Sequence, residues 1–340
     1  MRTAIAIAEA GLSPDYITRQ GIRLLLKGRL KKQCDTDLRD MVRKMSEGPL
    51  ALHTESANDQ HYEVPAGFFE TMLGQHLKYS CSYYDSDETT LDVAEKAMLD
   101  LTVSRAGLVN GMDILELGCG WGSLTLYMAG LFPASNIKAI TNSHKQREFI
   151  EARARNQSLS NIEVVTSDIN EYGSTDVFDR VLSIEMFEHL RNYRRLFELA
   201  ANWLKADGRL FFHIFCHRSS PYFFSNDTDG DWMARYFFTG GTMPSWDLPL
   251  EFDEHLILDQ RWQINGRHYA LTCRDWLRNL DKERKTALGD LEAGDNPDSI
   301  IRQYRRWRIF VMACEELFGW NGGEEWFVGH YLMKPRTGTG

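Results

Sequence analysis

The stretch that most limits what this chain can fold into is 113–130, DILELGCGWGSLTLYMAG. Its first five residues read as a strand, three glycines follow at 118, 120 and 122, and a helical pattern resumes at 123. Glycines set so closely are costly in conformational entropy, so the backbone there must turn sharply or touch something. The neighbouring sequence repeats the strand-then-helix alternation. IKAIT (137–141), IEVVTS (162–167), DRVLSI (179–184) and GRLFFHIF (208–215) read as strands, with helical patterns over 90–109, 123–132, 143–156 and 193–205. Strands alternating with helices imply parallel pairing in a doubly wound α/β sheet. The glycine loop then lies at the carboxyl end of the first strand, where such sheets bind ligands.

Around this Rossmann-like sheet the chain changes character. Residues 15–46 read as helices with a basic flank and 50–61 as a polar linker. HYEVPAGFFETMLG reads as a turn at Pro65 followed by a helix. The region 217–268 is rich in aromatics and glycine, with RYFFTGGTMPSW at its centre. Two helices (272–288 and 297–318) and a final strand in EEWFVGHYLMKP follow it. The expected layout is an N-terminal helical segment (1–57), then the sheet domain (58–340) carrying an aromatic-rich lid or substrate insertion over about 217–320.

A formal net charge of -9 over 340 residues argues against nucleic-acid or stable membrane binding, since both need positive potential on the contacting face. The six cysteines lie far apart without a CxxC pair, so neither a zinc site nor a disulfide framework is expected. No apolar run approaches a membrane span and no credible signal sequence opens the chain. The expected location is cytoplasmic. A homodimer is compatible with the sequence, which does not fix the oligomeric state.

The pattern E-L-G-C-G-W-G lacks the GxGxxG spacing that seats a pyrophosphate on a helix N-terminus. The second strand ends without an acid, offering Thr141, Asn142 and Gln146 to ribose hydroxyls. The third ends in Asp168 and Ile169, an acceptor for an adenine amino group and an apolar face for its ring.

KYSCSYY, LELGCGWGSLTL, ITNSHKQ, MFEHLRNY, RYFFTGGTMPS and EEWFVGHYL together carry a specific likeness. The chain resembles the S-adenosylmethionine-dependent methyltransferases of the cyclopropane-fatty-acid-synthase superfamily, most closely their coclaurine N-methyltransferase-like branch, from about residue 58 to the end. The resemblance implies a class I methyltransferase fold and S-adenosylmethionine as cofactor. Tyr79 and Ser80 would lie over its methionine end, with Gly118 and Gly120 facing it. Asn142 and Gln146 would serve the ribose, Asp168 and Ile169 the adenine, and Ile184 would close the pocket.

The chemistry is expected in 184-IEMFEHLRNY-193. Glu185 and Glu188, three apart on a helical turn, would share a face beside His189. An alkyl amine is largely protonated near neutrality, as lysine's pKa of ~10.4 shows, so methyl transfer to nitrogen needs a proton acceptor. Glu188 with His189 is the candidate base, and Glu185 the anchor for the ammonium. Trp232, Tyr236, Phe237 and Phe238 would supply cation–π contacts or, equally, plain core packing. In the lipid-modifying relatives the resemblance points to Cys81, Glu188, His213 and Tyr269 as a bicarbonate site. All four residue types are present here, but those relatives carry glycine at 185, and Phe215 replaces a smaller aliphatic residue. The acid at 185 favours a small-molecule amine over an acyl chain. Arg302, Arg305, Arg306 and Arg308 read as a solvated helix face paired with acids such as Asp290, Glu292 and Asp295. Cys314, matching a cysteine once assigned as nucleophilic, reads as a packing residue, and His217 as structural.

Overall fold

The computed structural model describes residues 2–32, 38–52, 64–224, 232–294 and 298–336. Within the expected linker, 53–61 lie outside the described residues, as do Asp295 and the first three residues of HYEVPAGFFETMLG. In chain order the elements begin with α1 (Arg2–Glu9), α2 (Asp15–Lys32), α3 (Leu38–Lys44), α4 (Ala66–Met72) and α5 (Leu91–Ala106). Alternation then sets in with β1 (Asp113–Leu117), α6 (Ser123–Leu131), β2 (Asn136–Thr141), α7 (His144–Asn156) and β3 (Ile162–Thr166). It continues through β4 (Phe178–Ile184), a 3-10 turn (Phe187–His189), α8 (Tyr193–Asn202) and β5 (Leu204–His217). After β5 come β6 (Tyr222–Phe223), α9 (Trp232–Tyr236), β7 (Thr242–Met243), β8 (Leu256–Ile264), α10 (Gly266–Lys282), α11 (Arg284–Glu292), α12 (Ile300–Phe318) and β9 (Trp326–Pro335).

The main sheet has seven strands in the order β3-β2-β1-β4-β5-β9-β8. β1 to β5 pair in parallel, and β9 is antiparallel to both its neighbours. Local chemistry sets the helix ends. Ser143 accepts the Gln146 amide to start α7 and Asn265 accepts the Arg267 amide to start α10, and Gly107 closes α5 at φ 62°. The order reverses at β1 and β4, which are adjacent while their following connections run to opposite sides. This switch point opens a crevice at the strands' carboxyl ends.

The expected Rossmann-like α/β fold with N-terminal helices is what the structure shows, and two stretches differ from the reading. LILDQRWQI, placed within the lid, is β8 and completes the main sheet beside β9. Its polar residues at 259–261 and 263 mask it, because an edge strand covered on one face lacks the continuous apolar run of β5. The helix expected over 272–288 is α10 and α11, broken at Glu283. The N-terminal segment packs onto the rest of the chain. Met41, Met45 and Leu50 are buried with Phe187 and Tyr193 in one core, and Leu26 belongs to the aromatic core with Trp121, Trp276 and Trp307. Among the described residues no helix is long and apolar enough to cross a membrane.

Candidate active site

The loop after β1 builds the floor of the crevice. Gly118 has φ 74°, and a Cβ there would lie 2.6 Å from Met186 Cγ, so the turn admits no side chain. Gly120 also has positive φ, 53°, but a Cβ would meet nothing within 4 Å, so the backbone there can be approached closely. Behind them Glu116 is buried on β1 and accepts a hydrogen bond from Thr125 Oγ1 at 2.6 Å. Burial pushes its carboxyl up to about 8.

The loop after β4 builds the opposite wall. Glu185 adopts φ 47°, a left-handed conformation uncommon outside glycine and found disproportionately at functional sites. The turn aims its carboxylate at a ready set of donors. Oε1 accepts the Cys81 amide at 3.0 Å and lies 2.9 Å from His213 Nε2; Oε2 accepts the Tyr269 hydroxyl at 2.5 Å. Burial raises the Glu185 pKa, opposed by the nearby Lys78 ammonium, the Cys81 amide and Tyr269. Lys78 is itself buried, donating to Ser80 Oγ and to the Cys81 carbonyl. Cys81 thus contributes its backbone; its thiol donates to the Ser82 carbonyl, and burial holds it well above the usual thiol range.

Glu188 goes elsewhere. It is 0 % exposed, its Oε1 accepts the Phe215 amide at 2.9 Å and its Oε2 has no hydrogen-bond partner. Burial, then the Glu185 charge, pushes its pKa well above the carboxylate range, and the side chain packs behind the wall. The expected shared face fails because Glu185 leaves the strand with positive φ before a 3-10 turn, and helical i,i+3 geometry does not cross such a reversal. His189 does reach the cavity, stacked on Phe238 with ring centroids 5.0 Å apart.

The two loops bound a cavity of about 1370 Å³. Tyr79, Ser80, Gly118, Gly120, Gln146 and Ile184 line it together with Glu185, His189 and Tyr269. Thr141 donates to Gln146 Oε1 at 2.6 Å just behind the wall. Asn142, Asp168 and Ile169 follow the ends of β2 and β3 and are not among the residues that line the cavity; Asp168 accepts the Asn170 amide at 2.7 Å, and Ile169 is buried in the core with Phe178 and Tyr193. Of the aromatics, Trp232, Phe238 and Phe215 face the cavity. Tyr236 lies under the Arg306 guanidinium, 4.0 Å from its ring, and Phe237 stacks on Phe310 at 4.2 Å. Cys314 is on the wall, and His217 Nδ1 accepts the Ser219 and Ser220 amides in a turn.

Several site residues escaped the sequence reading. Glu116 looked like one polar member of an alternating strand, although an acid in a strand covered on both faces is itself a signal. Lys78 and Trp121 lacked any spacing cue. The far wall comes from α1 and α2, including Ile5, Ala8, Ile17 and Ile22. The arginine cluster is corrected: Arg306 is 9 % exposed and pairs with Glu9 and Asp298, while Arg308 pairs with Asp15 and Asp281. The acids it meets are Glu9 and Asp15 of the N-terminal helices together with Asp281 and Asp298. Asp290 instead accepts from Thr71.

A family model described as mycolic acid cyclopropane synthetase matches residues 52–323. The chain belongs to the mycolic acid cyclopropane synthetase family. Within it, (S)-coclaurine N-methyltransferase of Thalictrum flavum subsp. glaucum is 37% identical over 96% of this chain and 94% of that protein. The Papaver somniferum enzyme of the same name is 34% identical over 96% of each. A crystal structure of coclaurine N-methyltransferase bound to N-methylheliamine and SAH superposes with a TM-score of 0.91, at 34% identity, covering 98% of this chain and 99% of that one. This member of the synthetase family is therefore an S-adenosylmethionine-dependent methyltransferase. The site fits that cofactor: the open space at Gly120 admits it, and Glu116, a buried carboxyl with only Thr125 against it, suits a cationic ligand.

Proposed function

We propose that this methyltransferase transfers a methyl group to the nitrogen of a small alkaloid-like or other cyclic, aromatic amine. The observation that carries the reading is the Glu185 carboxylate, held by His213, Tyr269 and the Cys81 amide at the cavity wall. Those donors belong to the set that the resemblance assigns to bicarbonate in lipid-modifying relatives. Here a side chain of the protein takes them up, which leaves a fixed negative charge facing the acceptor. An acyl chain gains nothing from a buried carboxylate, whereas an ammonium does. The N-methyltransferase relatives support the same choice.

S-adenosylmethionine supplies an electrophilic methyl on a sulfonium. Tyr79, Ser80, Gly118, Gly120 and Gln146 would hold it, with Asp168 and Ile169 at its adenine. A carboxylate offers about four acceptor positions; Glu185 uses three, so one remains for an N–H of the acceptor. His189, on the same wall, receives the proton that must leave before the nitrogen lone pair is free. The geometry thus favours Glu185 with His189 for the tasks first given to Glu188 with His189. Trp232 and Phe238 add cation–π attraction of ~0.5–2 kcal/mol each.

The test is a labelled-methyl screen of primary, secondary and tertiary cyclic amines beside phospholipid vesicles. Label is expected in an amine. Label in the acyl chains, as cyclopropane or methyl branches, would overturn the reading in favour of a lipid substrate.

A further inference from the structure

Behind Glu185 a row of side chains leads away from the cavity. His213 Nε2 lies 2.9 Å from Glu185 Oε1, His330 Nε2 lies 3.0 Å from His213 Nδ1, and Arg105 Nη1 lies 2.9 Å from His330 Nδ1. The sheet sets this spacing, since His213 on β5 and His330 on β9 are register partners across an antiparallel pair. Arg105 arrives from the last turn of α5, its guanidinium 5.1 Å above the Trp262 ring. Both imidazoles are fully buried, and burial together with the charges of Lys78 and Arg105 holds them neutral.

The proton positions follow from donor inventory. A guanidinium has only N–H donors, so His330 Nδ1 accepts. A neutral imidazole carries one donor and one acceptor, so His330 Nε2–H donates to His213 Nδ1, and His213 Nε2–H donates to Glu185. Each link points inward. The reverse arrangement would set His330 Nδ1–H against the guanidinium, donor against donor.

We infer that Arg105 and His330 are positioning residues that lock His213 in its Nε2–H tautomer, so that it remains a permanent donor to Glu185. A proton that reaches Glu185 then has no exit through the histidines, because the row ends on a group that cannot accept one. It leaves by the cavity, on the side of His189. The titratable and charged groups around the row are Glu185, Glu188, Lys78, Tyr269 and Arg105. The catalytic consequence rests on the amine-methylation reading; the tautomer lock does not.

The test uses the full chain labelled with 15N-histidine, the two signals assigned through His213→Gln and His330→Gln. In the unsubstituted protein both imidazoles should carry the proton on Nε2, with unprotonated Nδ1, from pH 6 to 9. Arg105→Gln, whose amide can accept as well as donate, should mix the tautomers and lower kcat by about tenfold, less than the ~100-fold lower bound for losing an acid–base group. The KM for S-adenosylmethionine should stay the same. Arg105→Lys, again donor only, should restore the single tautomer and most of kcat. An Nδ1 proton on His213 in the unsubstituted protein overturns the proposal without any variant. So does Arg105→Gln with unchanged tautomers and an unchanged kcat–pH profile, or Arg105→Lys behaving like Arg105→Gln. If no amine is turned over, the tautomer readout still decides the lock.

Discussion

Glu185 holds a left-handed backbone conformation that costs a non-glycine residue on the order of 1–3 kcal/mol, and it does so beside three donors that its carboxylate brings together. Glu185→Gly relieves that conformation but leaves the Cys81 amide, His213 and Tyr269 unpaired, so it should not raise stability in denaturant melts, and it should lower amine methylation by about 100-fold or more. The vacated donors should then take formate or bicarbonate, and added anion should restore part of the rate. A rate indifferent to both anions would show that the donors do not form an anion site. Glu188 gives the opposite expectation. Glu188→Gln keeps the Phe215 amide bonded and should hold kcat within about threefold; Glu188→Ala leaves that amide unpaired and should cost about 1–3 kcal/mol of stability. A folded Glu188→Gln protein with kcat down by ~100-fold would return the base role to Glu188. The motif made both glutamates readable, but their separation was not. It depends on one backbone angle at 185, and residue spacing carries no record of such an angle.

At the scale of elements, the sheet was readable because buried parallel strands are apolar runs and the helices between them keep their own period. The role of α1 and α2 was not, because it lives in pairs far apart along the chain. Arg19 meets Glu315 and Glu316, Arg308 meets Asp15, and Glu9 joins Arg306 to the Trp232 indole N–H. These contacts fasten two helices over the cavity and onto α9 and α12. Partly exposed pairs contribute only about 0–1 kcal/mol each, so the fastening should be sensitive to salt. Raising NaCl from about 50 mM to 1 M shortens the Debye length to about 3 Å and should raise the acceptor KM several-fold. The KM for S-adenosylmethionine, whose wall is the glycine loop, should change less. Arg306→Ala should do the same at low salt. Equal changes in both constants would detach these helices from acceptor binding.

Over the whole molecule, buried ionisable groups tilt stability with pH in a direction the fold dictates. Burial pushes Glu116 up to about 8 and Glu95 up to about 7, and both return to ordinary carboxylate values on unfolding. Their contribution is therefore full below about 4.5 and is lost as pH rises through 7 and 8. His217, held near 4 by burial, contributes above its ordinary value of 6.5 and loses that contribution as pH falls towards 4. Between pH 6.5 and 8 the Glu116 and Glu95 carboxyls lower stability by ~1.4 kcal/mol per unit for each group, and Tm should fall by about 5 °C. Glu116→Gln should make that slope shallower. Saturating S-adenosylmethionine should flatten it too, and S-adenosylhomocysteine, which lacks the sulfonium charge, should do so less. A Tm that climbs over this interval would place ionised Glu116 in the ligand-free fold. None of these values could be read from composition, since each depends on how deeply the sheet encloses one side chain. The cavity draws its reactive wall from loops on the sheet and its far wall from helices that carry no chemistry. Exchanging Ile5, Ala8, Ile17 or Ile22 would resize the chamber and leave the reacting centre as it is, so a lineage or a protein engineer could retarget this scaffold to bulkier guests by rewriting its first thirty residues.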